Sequence, residues 1–143
     1  MNTNKKSIFV WSPFISKVGT VQNVINSSYS INKYSKFNIN LINAFGEWDD
    51  YLEDPNLEKV AIRDLKFLRF IKYWDKTGFL KSRFSYLLIF IFSFFPLLKL
   101  IKKQKPDFLI AHLISSLPLT IFYLFNFKTK LILHVAGHPK LNL

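Results

Sequence analysis

The chain has 143 residues, of which 50% are hydrophobic and 17% aromatic, and its 20 lysines and arginines against nine acidic residues give a formal net charge of +11. This composition is too apolar for a disordered chain and too charged for a polytopic membrane protein, and the length suits one domain. The chain contains no cysteine, which excludes a disulfide framework, a thiolate metal site and a cysteine nucleophile. The positive charge predicts a polyanionic partner, either nucleic acid or anionic lipid.

The first 46 residues predict a strand, a loop, a helix and a second strand. Residues 7–11 form a short apolar run rich in β-forming side chains, and Gly19 lies in the loop that follows. A helix is expected from Thr20, as a candidate cap, to about Tyr34, because apolar residues recur there at three- and four-residue spacings. Residues 37–45 predict the second strand.

A signal peptide is the alternative for the amino terminus, because Lys5 and Lys6 precede the apolar run. Pro13 interrupts that run, and no small-residue cleavage pattern follows it. We therefore prefer a buried first strand.

The middle of the chain predicts a loop, a short strand and a basic helix. Residues 47–58 hold six of the nine acidic residues without apolar periodicity, which predicts an exposed loop, and residues 59–62 predict a third strand. Residues 63–76 predict an amphipathic helix suited to an anionic membrane surface. Its basic residues recur at three-residue intervals: Arg63, Lys66, Arg69 and Lys72.

Residues 84–98 carry no charge and are flanked on both sides by basic residues. The segment is shorter than the ~20 residues that a spanning helix needs, and Pro96 is expected to kink it. A buried or interfacial helix is therefore preferred over a transmembrane span.

The last third predicts a strand at 107–111, a helix at 115–125 and a strand at 130–135. This alternation predicts an α/β fold, a three-layer Rossmann-like parallel sheet with helices on both faces and right-handed crossovers. The chain ends just past a strand without a closing helix, so we do not expect a natural domain boundary at Leu143.

Ligands of such sheets bind where loops and helix amino termini meet at the carboxyl ends of the strands. Lys17 and Gly19 lie in the first such loop, where a glycine allows close approach of a ligand; an ordinary strand-to-helix turn is the alternative. His112 directly follows a predicted strand and is suited to orienting a sugar hydroxyl or moving a proton; a ring satisfied by a backbone carbonyl is its alternative.

The third loop follows the last predicted strand and contains Gly137, His138 and Lys140. His138 is a candidate for chemistry and Lys140 for a phosphate contact, whereas His134 is expected to be packed inside the strand. The histidine spacing matches no metal-ligand pattern, so no metal is expected. Ser115 and Ser116 lack the setting of a nucleophile elbow, and helix capping is their expected role.

Three segments carry a resemblance to a known family: IFVWSPF with KVGT in residues 8–20, KPDFLIAHL in residues 105–113, and KLILHVAGHPKL in residues 130–141. Together they resemble family 4 glycosyltransferases of bacterial surface-polysaccharide synthesis. The resemblance covers essentially the whole chain but only the amino-terminal half of that family's GT-B architecture. Many relatives have His-Gly after the last strand, where this chain has Ala136, Gly137 and His138.

The resemblance implies that residues 1–143 are the acceptor-binding domain, and that a nucleotide-sugar-binding domain, absent from this chain, faces it. It implies sugar transfer with retention of configuration, a nucleotide sugar as substrate, and neither metal nor cofactor. By position, Lys17, Gly19 and Thr20 border the donor phosphates, and the acceptor side has His112, Gly137, His138 and Lys140, with His112 and His138 as catalytic candidates. The chain alone is expected to be inactive.

The basic and apolar helices predict a cytoplasmic protein that is peripheral on the cytoplasmic membrane, where it meets anionic lipid and a lipid-linked acceptor. An alternative is a stand-alone, membrane-anchored binding module that recruits a separate catalytic subunit. Nucleic-acid binding is a third hypothesis, suggested by charge alone. We do not favour it, because no motif of that class is present.

Overall fold

The computed structural model describes residues 5–15, 19–65, 68–73 and 78–134, in which strands and helices alternate. The elements in chain order are β1 (Lys6–Trp11), α1 (Gly19–Tyr34), β2 (Phe37–Asn43), a 3-10 turn (Asp49–Tyr51), β3 (Ala61–Asp64), α2 (Arg69–Tyr73), α3 (Phe79–Gln104), β4 (Phe108–Ala111), α4 (Ser116–Leu124) and β5 (Lys130–Leu133).

The five strands form one sheet in the order β3-β2-β1-β4-β5, and every neighbouring pair is parallel. In the central register Ile8 lies opposite Ile39 on one side and Phe108 on the other. Parallel neighbours require crossover connections, which the intervening helices supply. The predicted parallel α/β sheet is confirmed.

Alternating side chains of the strands divide the core between the two faces of the sheet, because successive residues of a strand point to opposite faces. Ile8 and Val10 pack with the α1 residues Val21, Val24 and Ile25. Phe9 and Trp11 pack on the opposite face, with buried residues of α3 and α4: Ile89, Leu97, Ile101, Leu117 and Ile121. Helices therefore cover both faces, as predicted.

The structure corrects the prediction for residues 47–76. The segment after β2 is not simply an exposed loop, because Glu47, Trp48 and Leu57 are buried and the Trp48 indole donates to the Ile42 carbonyl at 3.0 Å. The third strand runs two residues later than expected, and Arg63 lies within it instead of opening a helix. Of the helix predicted at 63–76, residues 69–73 are helical, as α2, and residues 66, 67 and 74–76 lie outside the described residues.

The helix α3 is longer than the predicted one, with 26 residues, and it continues through Pro96 to Gln104. One side of it is buried against the sheet. The other carries a line of exposed side chains that we call the apolar stripe: Phe84, Leu87, Ile91 and Phe95. By length and composition α3 is able to cross a membrane, a test that core helices of soluble proteins also pass.

Candidate functional site at the carboxyl edge of the sheet

The order of the strands reverses between β1 and β4, since the chain proceeds from β1 outward to β2 and β3 and later returns to β4 on the other side. Loops leave the sheet in opposite directions at such a switch point, and ligands of open α/β sheets bind in the resulting crevice. Here the His112 backbone N–H donates to the Trp11 carbonyl at 2.9 Å, and the Trp11 indole donates to the Ile114 carbonyl at 3.3 Å. The end of β1 is thus joined to the loop that follows β4.

Two histidines meet beside this crevice. The His134 backbone N–H donates to the Ala111 carbonyl at 2.9 Å, which places the residue just past the end of β5 and next to His112. The two Nδ1 atoms lie 3.1 Å apart, and the ring centroids 4.6 Å apart. The prediction that His134 is packed inside the strand is wrong, because β5 ends at Leu133 and His134 is exposed.

The environment of His112 keeps its imidazole neutral at physiological pH. Burial, and then the charge of His134, lower the pKa of His112 to about 4. The short Nδ1–Nδ1 distance requires one ring to donate and the other to accept. A neutral imidazole in this position is able to accept a proton or a hydrogen bond from a ligand hydroxyl.

The other predicted site residues are distributed as follows. Gly19 and Thr20 form the start of α1, so Thr20 lies in the first turn and the prediction that it caps the helix is wrong. Gly19 is exposed, and a Cβ added there meets nothing within 4 Å. Ser115 occupies the cap position of α4, but its side chain makes no capping hydrogen bond. The remaining candidates lie outside the described residues: Lys17, Gly137, His138 and Lys140.

A second polar cluster, which the sequence did not predict, lies where β2 and β3 end. The buried Asn43 amide donates to Asp64 at 2.7 Å and to Asp49 at 3.3 Å, and its oxygen accepts from the Gly46 N–H at 2.9 Å. The buried Glu47 carboxylate accepts from the backbone N–H groups of its own turn. Burial raises the pKa of Glu47 to about 7, which the hydrogen bonds of that turn oppose.

This cluster also neutralises the basic side chains of α2. Lys72 forms ion pairs with Asp50 at 2.9 Å and Asp49 at 3.4 Å, and Arg69 with Asp64 at 3.7 Å. The helix predicted to face an anionic membrane therefore directs its described cations at carboxylates of the same chain. The signal in the sequence was the acidic residues placed directly after an apolar strand, at a sheet edge where loops converge.

Within the described ranges, no group of three or more histidine, cysteine, aspartate or glutamate side chains is arranged to hold a metal ion. Comparison of the chain with protein-family models, with curated proteins and with solved structures finds no match.

Proposed function

We propose that this chain is the acceptor-side domain of a membrane-associated, retaining glycosyltransferase that transfers a sugar from a nucleotide sugar to a lipid-linked acceptor. The observation that carries the proposal is the contact of His112 with His134 beside the switch point of the sheet. Ligands of open α/β sheets bind at such a switch point, and His112 supplies a neutral imidazole beside it.

His112 orients the acceptor hydroxyl in this proposal. When the His112 Nδ1–H donates to the His134 Nδ1, the lone pair of His112 lies on Nε2, where it accepts a hydrogen bond from the hydroxyl. A bond forms between that hydroxyl oxygen and the anomeric carbon of the donor as the bond to the nucleoside diphosphate breaks, and the hydroxyl proton passes to the His112 Nε2. The donor phosphates lie toward Lys17, Gly19 and Thr20, beside the amino end of α1, and the nucleotide is held by a second domain or a separate subunit.

The lipid part of the acceptor has a matching surface on α3. A cavity of about 580 Å³ lies beside the apolar stripe, lined by Leu65, Ile91, Phe92, Phe95, Pro96 and Lys99. Leu65 directly follows β3, so the cavity reaches the carboxyl edge of the sheet at β3, three strand positions from β4 and His112. An apolar cavity with one ammonium group suits a hydrocarbon chain that ends in a phosphate. Cytoplasmic, peripheral attachment to the membrane is part of this proposal, and the same apolar surface supports the attachment.

The proposal is tested by co-expressing the chain with the nucleotide-sugar-binding domain or subunit encoded beside it. The membranes are supplied with radiolabelled nucleotide sugars, and label in the lipid fraction is measured. His112→Asn should lower transfer by roughly 100-fold or more, the usual contribution of a positioned acid or base. Lys36→Gln, at the opposite edge of the sheet, is the control. Absence of transfer from every nucleotide sugar, or full transfer by His112→Asn, would contradict the proposal.

A second candidate, the stand-alone membrane-anchored binding module, is favoured by the apolar stripe, which needs no catalytic residue. It predicts that His112→Asn leaves transfer by the partner subunit unchanged, whereas Phe95→Ser detaches both proteins from the membrane. The same co-expression experiment therefore separates the two candidates.

A further inference from the structure

A second cavity lies at the amino edge of the sheet, opposite the histidines. Its volume is about 520 Å³, and it opens where α3 ends and where β4 and β5 begin. Its polar lining includes three lysines, one carboxylate and one hydroxyl: Lys102, Lys105, Lys128, Asp107 and Thr129. These residues come from the end of α3, from the turn before β4 and from the turn before β5, so tertiary structure brings the ammonium groups together.

The lysines of this cavity have no ion-pair partner among the described residues. Asp107 lines the cavity too, and its carboxylate accepts from the Ser7 backbone N–H at 2.8 Å, but the three lysines outnumber it. The Lys102 ammonium lies 4.6 Å from the centroid of the Phe125 ring, an attraction that holds it in place. The cavity therefore has the charge of an anion site.

Helix stability alone does not explain these charges. Lysines in the last turn of a helix offset its dipole, which accounts for Lys102. Lys105 is the C-cap of α3, where its backbone N–H donates to the Ile101 carbonyl at 2.8 Å. Lys128 belongs to the turn after α4, so the end of α3 does not explain its place in the cavity.

The cavity continues the apolar stripe. Lys102 follows Phe95 by seven residues, about two turns of an α-helix, so both lie on the same side of α3. Phe95 is 74% exposed and Ile91 52%, although side chains of this type are usually buried. Along one side of α3 the surface thus changes from apolar side chains to ammonium groups.

We propose that this cavity binds the phosphate headgroup of an anionic phospholipid while the apolar stripe lies against the acyl chains of the same leaflet. The inference rests on the membrane association in the proposed function, but it does not require sugar transfer. This binding mode places the axis of α3 parallel to the membrane surface. The carboxyl edge of the sheet, which carries His112, then faces along the plane of the bilayer.

The test is sedimentation of the full chain with vesicles of phosphatidylcholine containing 30% phosphatidylglycerol, compared with phosphatidylcholine alone. The double variant Lys105→Gln/Lys128→Gln should bind the anionic vesicles about 30-fold more weakly, because each basic residue at an anionic surface contributes about fivefold. The matched control Lys6→Gln/Lys36→Gln removes the same charge from the same edge of the sheet, outside the cavity, and should weaken binding less than threefold. Circular dichroism checks the fold of each variant.

Three results would overturn the inference. Equal losses in the two double variants would mean general attraction to charge, and no loss in the first would mean that the cavity is not used. Displacement by inorganic phosphate at constant ionic strength would identify a site for soluble phosphate. Because no nucleotide sugar is added, a chain that transfers no sugar still gives a defined result here, which keeps the two proposals separate.

Discussion

The Nδ1 atoms of His112 and His134 lie 3.1 Å apart, so only one proton fits between the two rings. Backbone hydrogen bonds fix both residues, since His112 is bonded to the end of β1 and His134 to the end of β4. The position of that shared proton therefore determines whether the Nε2 atom of His112 accepts or donates a hydrogen bond.

Replacing His134 should raise the pKa of His112 only part of the way to its ordinary value. Burial is the larger cause of the lowered pKa and the charge of His134 the smaller, so His134→Asn removes only the smaller one. In an NMR pH titration of the His112 ring resonances, the pKa of His112 should rise from about 4 and stay below 6.5. An unchanged midpoint would show that the rings are not coupled, and Lys36→Gln serves as the control.

Glu47 should make the protein less stable as the pH rises. The pKa of Glu47 is raised to about 7 in the folded state, so the folded chain holds a proton that the unfolded chain loses above about 4.5. Relative to Glu47→Gln, which does not titrate, the free energy of unfolding of the wild type should fall by on the order of 3 kcal/mol between these pH values.

Urea unfolding at pH 4.5, 5.5, 6.5 and 7.5 measures this difference. Subtracting the variant cancels the contribution of His112, which has the opposite sign: its folded pKa is lowered, so its stabilisation is lost as the pH falls from 6.5 toward about 4. A difference that does not change with pH would mean that Glu47 stays ionised in the folded chain.

The two glycines at the carboxyl edge of the sheet should respond oppositely to alanine. Gly46 has a φ of +99°, and a Cβ there lies 2.8 Å from the Asp49 carboxylate, so Gly46→Ala should lower the free energy of unfolding by about 2 kcal/mol. Gly19→Ala should raise it by about 0.5 kcal/mol, because Gly19 lies in α1 with open space around it.

Thermal unfolding of the two variants measures the difference. Since Gly19→Ala keeps the fold, any loss of nucleotide-sugar use in the co-expression assay would report a ligand close to that backbone. A destabilised Gly19→Ala would contradict the structure of the first turn of α1.

Substitutions at two nearby positions of α3 should distinguish an effect on membrane binding from an effect on folding. Leu97 is fully buried, so Leu97→Ala should lower the free energy of unfolding by about 2–5 kcal/mol. Phe95 is 74% exposed, so Phe95→Ala should change it by less than about 0.5 kcal/mol while weakening vesicle binding. Urea unfolding and vesicle sedimentation of the two variants measure these effects. A Phe95→Ala variant that unfolds at a lower urea concentration than the wild type would place this side chain in the core.

Much of the fold could be predicted because its strands are short, apolar and buried. The runs that became β1, β2, β4 and β5 were each identified from neighbouring residues, and their alternation with helices predicted a parallel sheet. The segment from Glu47 to Arg69 could not be predicted in this way. Its acidic residues indicated an exposed loop, whereas hydrogen bonds from Asn43 and ion pairs to Lys72 hold it against the end of the sheet.

The sequence by itself determined the α/β class, the apolar helix between charged segments and the position of His112 after a strand, because these depend on periodicity and on adjacent residues. Only the tertiary structure decided that His134 lies past the end of β5 in contact with His112, and that Lys102, Lys105 and Lys128 line one cavity. The members of each set lie on different elements. Their distances therefore follow from how the strands pair and how α3 packs, which no local pattern of residues records.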